Sequence, residues 1–162
     1  MNTKEMIDSI LAETGKAVLG KGEVLRRILC AILAGGHILI DDIPGVGKTT
    51  IAVSFTHVLG LDYKRMQFIP DVLPSDITGF SMYDKGSGSF RYVPGSAMTN
   101  FFLADEINRA SPKTQSALLE VMQEGRLTVD DKTYAVPQPF IVMATQNPFG
   151  SSGTQELPES QT

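Results

Sequence analysis

The residues best suited to do chemistry form a glycine loop, Asp42-Ile-Pro-Gly-Val-Gly-Lys-Thr49, which lies between an apolar run and a helical pattern. Gly45 and Gly47 allow the backbone to curl so that successive N–H groups face one anion, and the helix start adds its positive dipole end. Lys48 is placed to reach the β- and γ-phosphates of a nucleotide, and the Thr49 hydroxyl to ligate Mg²⁺. The sequence therefore predicts a nucleotide-binding loop.

One position of this loop departs from the general pattern G-x-x-x-x-G-K-[ST], because Asp42 stands where the first glycine is expected. The alternative interpretation is a glycine-rich turn that carries an incidental lysine. The order of strand, loop and helix favours the nucleotide interpretation, since this context accompanies the motif in nucleotide-binding proteins.

Two adjacent acids, Asp105 and Glu106, follow the apolar run at 101–104. In open α/β sheets, ligands bind beyond the carboxyl ends of the strands. At such a position Asp105 is suited to hold Mg²⁺ through water, opposite Thr49, and Glu106 to orient and activate the attacking water. The alternative is that both acids only solubilise a strand end.

Asn147 follows the next apolar run, at 140–144. Its amide is suited to hydrogen-bond the γ-phosphate or the attacking water, although the dipeptide Asn147-Pro148 also favours a simple turn. Two further cations are expected near the proposed site, Arg109 and Arg126. For Arg109, a role at a neighbouring subunit's γ-phosphate and a surface ion pair are both open, and Arg126 is the other cation.

Composition limits the classes of function. The chain has 162 residues, an apolar content of 42% and a net charge of −4, which argues against a general nucleic-acid binder. No apolar run approaches the length of a membrane span and no signal peptide is recognisable, so a cytoplasmic location is expected. The single cysteine, Cys30, lies in an apolar helical stretch and is expected to be packed.

Strand-like and helical patterns alternate along the chain, which predicts an α/β fold with a mainly parallel sheet covered on both faces. Two further segments, 80–93 and 126–137, read as β-hairpins, and the first of them is also compatible with a flexible loop. The predicted helices are 4–19, 22–34, 48 to about 59, a short one from 74, and 112–124, and the predicted strands are 37–40, 63–68, 101–104 and 140–144.

The motifs taken together resemble the MoxR family of AAA+ ATPases, from about Val18 to the last residue. Members of that family also carry Asp at the position of Asp42. The motifs are the loop at 42–50, Gln67-Phe-Ile-Pro-Asp-Val-Leu-Pro-Ser-Asp-Ile-Thr-Gly79, Ala104-Asp-Glu-Ile-Asn-Arg-Ala110, Pro112-Lys-Thr-Gln-Ser-Ala-Leu-Leu-Glu120 and Ala144-Thr-Gln-Asn-Pro148.

The resemblance implies a three-layer P-loop NTPase (AAA+) core that binds ATP and Mg²⁺ and assembles into a ring, expected to be a hexamer. It implies chaperone-like remodelling or maturation of partner proteins, often ones with a von Willebrand factor A domain. It also implies that 80–93 is the helix-2 insert and 126–137 the hairpin before sensor 1, two elements through which such rings usually touch substrate.

Site roles carried over from the family follow its motifs. Lys48 and Thr49 are Walker A, Asp105 and Glu106 are Walker B, and Asn147 is sensor 1. Thr49 and Asp105 are then the metal residues, and the catalytic residues are Lys48, Glu106 and Asn147. The nucleotide-contacting residues are Pro44, Gly45, Val46, Gly47, Lys48, Thr49 and Thr50.

The segment after Asn147 shows no strand or helix pattern, whereas family members continue with an arginine-bearing helix, a fifth core strand and a helical lid. The sequence is thus expected to be the N-terminal part of a longer ATPase, with 38–41 at a sheet edge and weak hydrolysis by this chain alone. Two alternatives stay open. One is a nucleotide-sensing module with little hydrolysis. The other is a different helix-2-insert machine, such as a GTP-dependent DNA motor or a magnesium chelatase subunit.

Overall fold

A computed structural model describes residues 2–41 and 47–146 of the chain. The helices are α1 (Thr3–Ala17), α2 (Gly22–Leu33), α3 (Lys48–Leu59), α4 (Pro74–Thr78) and α5 (Pro112–Glu124), and a 3₁₀ turn covers Ile107–Arg109. The strands are β1 (Ile38–Asp41), β2 (Tyr63–Gln67), β3 (Gly79–Asp84), β4 (Ser89–Pro94), β5 (Phe101–Asp105), β6 (Arg126–Val129), β7 (Lys132–Ala135) and β8 (Ile141–Gln146).

A parallel sheet in the order β1-β8-β5-β2 is the centre of the described part. Because its strands are parallel, their carboxyl ends meet at one edge, and β8 brings Thr145 between the end of β1 and the end of β5. The expected parallel α/β architecture is confirmed. Within the described residues β1 lies at one edge of this sheet, as predicted for 38–41.

Alternating side chains of the sheet feed two separate cores, since successive residues of a strand point to opposite faces. Phe101 and Leu103 of β5 pack with α2 and α3 on one face. Phe102 and Ala104 pack with α4, α5 and the two hairpins on the other. The chain is therefore layered as helices, sheet and helices, which confirms the three-layer prediction.

The boundaries of α5 follow the local signals in its sequence. Ser111 caps its first turn by accepting a hydrogen bond from the Thr114 N–H, with Pro112 at the first position, and Gly125 ends it with φ +63°. The helical spacing of apolar residues predicts an inner face of Ala117, Leu118, Val121 and Met122. The structure differs in part, because Gln115 is fully buried and Ala117 only partly. The Gln115 amide can enter this core since its Nε2 donates to the Ala110 carbonyl at 3.1 Å.

The expectation that Cys30 is packed is wrong, because its side chain is exposed. The buried stripe of α2 consists of Leu25, Ile28, Leu29 and Ile32. At about 100° per residue, position 30 falls on the opposite side of the helix from this stripe.

Both segments predicted as hairpins form antiparallel strand pairs. β3 pairs with β4, and β6 pairs with β7. The Tyr92 ring of β4 stacks on the Tyr134 ring of β7, with centroids 4.0 Å apart and planes at 15°. The two hairpins are thus in direct contact.

Among the described residues, no helix is long and apolar enough to cross a lipid bilayer.

Candidate active site

Three polar side chains share the sheet face that α3 covers. Alternate residues of a strand point to the same face. Asp105 therefore shares the face of Phe101 and Leu103, and Thr145 shares the face of Ile141 and Met143, all four of which pack toward α3. Arg65 lies on the same face as Tyr63 for the same reason. All three lie at or near the carboxyl ends of β5, β8 and β2. The sheet therefore gathers them at the edge where open α/β proteins bind ligands.

Asp105 is nearly buried, and both of its carboxylate oxygens accept hydrogen bonds. Its Oδ2 accepts from the Arg65 Nε at 2.7 Å, and its Oδ1 accepts from the Thr145 hydroxyl at 3.1 Å. The side chain of Asp105 is 11% exposed and that of Arg65 is 47% exposed. A carboxylate removed from water to this extent requires such donors, because desolvation of an uncompensated charge is very unfavourable.

Glu106 has a backbone conformation that is uncommon for a residue with a side chain, with φ 58° and ψ 47°. This conformation costs about 1–3 kcal/mol and persists only where the surroundings impose it. The Glu106 N–H donates to the Thr145 hydroxyl at 2.9 Å, and the Arg109 Nη1 donates to the Glu106 Oε2 at 2.9 Å. Thr145 therefore connects the two acids, since its one hydroxyl donates to Asp105 and accepts from the Glu106 backbone.

The start of α3 places the proposed Walker A side chains. Gly47 precedes the helix with φ +78°, a conformation that glycine adopts without strain. Lys48 and Thr49 are half-buried in the first turn, and Thr50 is exposed. Because α3 packs against β5, this first turn lies on the sheet face that carries Asp105. Positions 42–46, which include Pro44, Gly45 and Val46, lie outside the described residues, as does Asn147.

Arg109 and Arg126, the two cations expected near the site, have different surroundings. Arg109 forms an ion pair with Glu106 of its own chain, with side chains 37% and 23% exposed, so it contacts the proposed catalytic acid rather than a remote surface group. Arg126 at the start of β6 pairs with Glu124 at the end of α5 at 2.9 Å, and both side chains are exposed.

Sequence reasoning missed Arg65 and Thr145 as site residues. Thr145 lies within the Ala144–Pro148 motif, but nothing in that motif distinguishes it from a strand residue. Arg65 had one available signal, because it is a cation within a strand that had to lie somewhere in the same sheet as Asp105. Its contact depends on β2 and β5 being neighbours, which spacing along the chain does not specify.

The oxygen atoms gathered here suit magnesium. Mg²⁺ binds through one or two carboxylates together with phosphate oxygens and waters, rather than through an all-protein cage. The Asp105 carboxylate at the strand end and the Thr49 hydroxyl at the start of α3 are ligands of this kind. The donor set therefore fits a magnesium ion that arrives with a nucleotide.

A match to a protein-family model shows which family the chain belongs to. Residues 37–162 match the model described as the ATPase family associated with various cellular activities (AAA). The chain belongs to this AAA+ family. The matched range contains every element of the site described above.

Individual relatives place the chain among the MoxR-type AAA+ ATPases. It is 49% identical over 156 residues to the uncharacterized protein YeaC of Bacillus subtilis, covering 96% of this chain and 49% of YeaC. It is 43% identical over 155 residues to the chaperone MoxR1 of Mycobacterium tuberculosis, covering 96% of this chain and 41% of MoxR1.

A solved structure agrees with the fold. A crystal structure of a “putative ATPase” from Cytophaga hutchinsonii superimposes with a TM-score of 0.83 at 44% identity, covering 98% of this chain and 48% of that one. The chain thus spans about half the length of the relatives and of the solved structure that it matches.

Proposed function

We propose that this AAA+ domain binds ATP with Mg²⁺ and hydrolyses it at the carboxyl edge formed by β1, β8 and β5. The observation that carries the proposal is the fixed Asp105–Glu106 pair. Thr145 holds this pair on the sheet face covered by the helix that begins with Lys48. Adjacent acids with only a solubilising role would not need a buried hydroxyl and a strained backbone to fix them.

Each site residue has one proposed role. Lys48 contacts the β- and γ-phosphates, while Thr49 and Asp105 hold Mg²⁺, which when bound neutralises negative charge on the phosphates. Of the loop residues that contact the nucleotide, Gly45 to Thr50 supply backbone N–H groups to the phosphates, because Pro44 has none. Asn147 is the sensor-1 amide, at the position that follows β8.

Glu106 is the residue that orients the attacking water. Its carboxylate is 23% exposed, which leaves it accessible to a water molecule, and the Arg109 guanidinium restricts its position. Phosphoryl transfer depends chiefly on positioning and charge stabilisation, so a carboxylate held at a fixed place is suited to this task.

Paired substitutions test these roles. Lys48→Ala is expected to abolish binding of a fluorescent ATP analogue because it removes the phosphate-binding cation. Glu106→Gln is expected to retain binding and to lower the turnover number by about 100-fold or more, the scale of a lost general base. Lys113→Ala and Glu120→Gln on the exposed face of α5 are matched controls and are expected to leave binding and turnover unchanged.

Turnover is measured over a wide range of protein concentrations, with ATP and GTP in parallel. Hydrolysis by Glu106→Gln at the wild-type rate would show that Glu106 is not the catalytic carboxylate. Nucleotide binding that depends on Lys48 without any turnover would favour a nucleotide-sensing module, and a preference for GTP would favour a GTP-dependent machine.

We further propose that the domain works as a hexameric ring on partner proteins, among them proteins with a von Willebrand factor A domain. One relative is named a chaperone. The β3–β4 hairpin supports contact with a partner, because Tyr83 is exposed and Phe90 is 70% exposed beside it, with their rings 5.4 Å apart in an edge-on arrangement. Exposed aromatic side chains that cluster in this way are typical of protein-binding surfaces. In this proposal β3–β4 is the helix-2 insert and β6–β7 the hairpin before sensor 1.

Suppression of aggregation of a heat-denatured model protein tests the partner role. The double variant Tyr83→Ser, Phe90→Ser is expected to lose suppression while retaining nucleotide binding, and Ser87→Ala in the connecting turn serves as the control. Suppression at the wild-type level by the double variant would contradict the role of the hairpin. Sedimentation velocity of Glu106→Gln with Mg·ATP tests ring assembly, and a monomer at every concentration would contradict it.

A further inference from the structure

The counter-ion of Asp105 comes from a different strand. Arg65 lies on β2, beside β5 in the sheet, and donates its Nε to the Asp105 Oδ2 at 2.7 Å. The Asp105 Oδ1 is occupied by the Thr145 hydroxyl. The carboxylate proposed to hold Mg²⁺ is therefore already neutralised by a side chain of the protein.

The burial of the two partners is unequal. Asp105 is 11% exposed, whereas Arg65 is 47% exposed, and β2 lies at an edge of the sheet within the described residues. Releasing Arg65 into water costs little because much of its side chain already contacts water, whereas Asp105 without a cation would be a buried uncompensated charge. The arginine is thus the partner that is able to leave.

The charge of Arg65 also acts on its surroundings. The Tyr63 hydroxyl, two residues before Arg65, is buried, and burial raises the pKa of Tyr63, while the Arg65 charge lowers it and the Asp105 charge raises it. Both members of the ion pair therefore influence the pKa of Tyr63 at the start of β2.

We propose that Arg65 is a positioning residue that acts as a substitute cation for Asp105 and yields this carboxylate when Mg²⁺ arrives with the nucleotide. This inference rests on the proposed function. Arg65 and Mg²⁺ are like charges that compete for one carboxylate, and a bound divalent cation is the largest local charge in such a site. Arg65 consequently stabilises the nucleotide-free fold and raises the Mg²⁺ concentration that nucleotide binding requires.

Neutral and charged replacements of Arg65 separate this role from a merely structural one. Arg65→Met removes the charge and keeps an unbranched stem, and Arg65→Gln removes the charge but retains a hydrogen-bond donor for Asp105. Arg65→Lys keeps the charge without the planar guanidinium. Arg27→Met removes an exposed, ion-paired arginine of α2 and serves as the matched control.

The readouts are the Mg²⁺ midpoint for binding of a fluorescent ATP analogue and the melting temperature without nucleotide. Both neutral variants are expected to lower the melting temperature and to lower the Mg²⁺ midpoint by about three- to fivefold, the upper scale of an ion pair whose arginine is half-exposed. Arg65→Lys is expected to stay within about twofold of wild type, and Arg27→Met to leave the midpoint unchanged.

An unchanged or raised Mg²⁺ midpoint in both Arg65→Met and Arg65→Gln would overturn the inference, whatever happens to the melting temperature. A lowered melting temperature alone would mean that Arg65 is only structural. Failure of the wild-type chain to bind nucleotide at any Mg²⁺ concentration is a separate result, which would refute the proposed function and this inference with it.

Discussion

The Thr145 hydroxyl makes the sharpest prediction about the site, because one atom holds both acids in place. Thr145→Val removes the hydrogen bond to the Asp105 carboxylate and leaves the Glu106 N–H without its acceptor. A hydrogen bond to a charged group contributes about 1.5–3 kcal/mol, and a buried donor without a partner costs about 1–3 kcal/mol. The added methyl group of valine offsets about 0.8 kcal/mol of this loss. We expect Thr145→Val to lower the free energy of unfolding by roughly 2–5 kcal/mol.

Thr145→Ser is the matched variant, because it keeps the hydroxyl and removes one methyl group. Its expected cost is about 1 kcal/mol. Urea unfolding followed by far-ultraviolet circular dichroism measures both variants, since the chain has no tryptophan for fluorescence. Equal stability of the valine and serine variants, within about 0.5 kcal/mol, would refute the reasoning. Native-state hydrogen exchange provides a local check, because only Thr145→Val is expected to accelerate exchange of the Glu106 amide.

Two further predictions concern the β3–β4 hairpin. Gly79→Ala is expected to lower the free energy of unfolding by about 3 kcal/mol or more, because Gly79 has φ +91° and an added Cβ would lie 2.3 Å from the Val93 carbonyl oxygen. Gly22→Ala at the open start of α2 is the control. Equal stability of the two variants in urea unfolding would contradict this prediction. The Gly86 backbone N–H, and then the Ser87 hydroxyl, lower the pKa of Asp84 in the turn, so its stabilisation of the turn is present above the pKa of the unfolded chain and lost as pH falls through the lower folded value. A nuclear magnetic resonance titration is expected to give an Asp84 midpoint below the ordinary value of about 3.9, and a midpoint at or above that value would disprove the prediction.

Local signals in the sequence were sufficient for most of the fold. The predicted helix 112–124 and the predicted strands 101–104 and 140–144 depend on neighbouring residues in the chain, such as the Ser111 cap and the Gly125 stop of the helix. The structure confirms them as α5, β5 and β8. Cys30 was assigned wrongly because an apolar residue type was given more weight than its angular position on α2.

The candidate site was predictable in its acids but not in the contacts that fix them. Asp105 and Glu106 were found because adjacent acids after a buried strand form a local pattern. Arg65 was not found, because its contact with Asp105 spans 40 residues and depends on the order of strands in the sheet. Thr145 lies within the Ala144–Pro148 motif, but its role depends on the register that places β8 beside β5. Contacts set by topology cannot be inferred from spacing along one chain.

The two arginines at the site differ in what they connect. Arg109 lies three residues from Glu106, so this ion pair is local and both partners move together with the turn at 106–109. Arg65 instead joins Asp105 to β2, and the chain runs from β2 through α4 into the β3–β4 hairpin. The base of the hairpin is closely packed, because a Cβ added to Gly79 or Gly95 would lie 2.3 Å from backbone atoms. Such packing has low compressibility, so a displacement of one segment there moves its neighbour.

The Arg65–Asp105 ion pair therefore connects the site to β2, the strand that leads to the β3–β4 hairpin. The stacked rings of Tyr92 and Tyr134 extend this connection to the β6–β7 hairpin. Proximity alone does not establish coupling, which requires an element with two states that both sites bias. The Arg65–Asp105 ion pair is the contact that has two states in our proposal. If it couples the site to the hairpins, Mg·ATP must change hydrogen exchange at residues 79–94 in the wild-type chain and change it less in Arg65→Gln. An equal change in both proteins would show that the hairpins respond to nucleotide by another route.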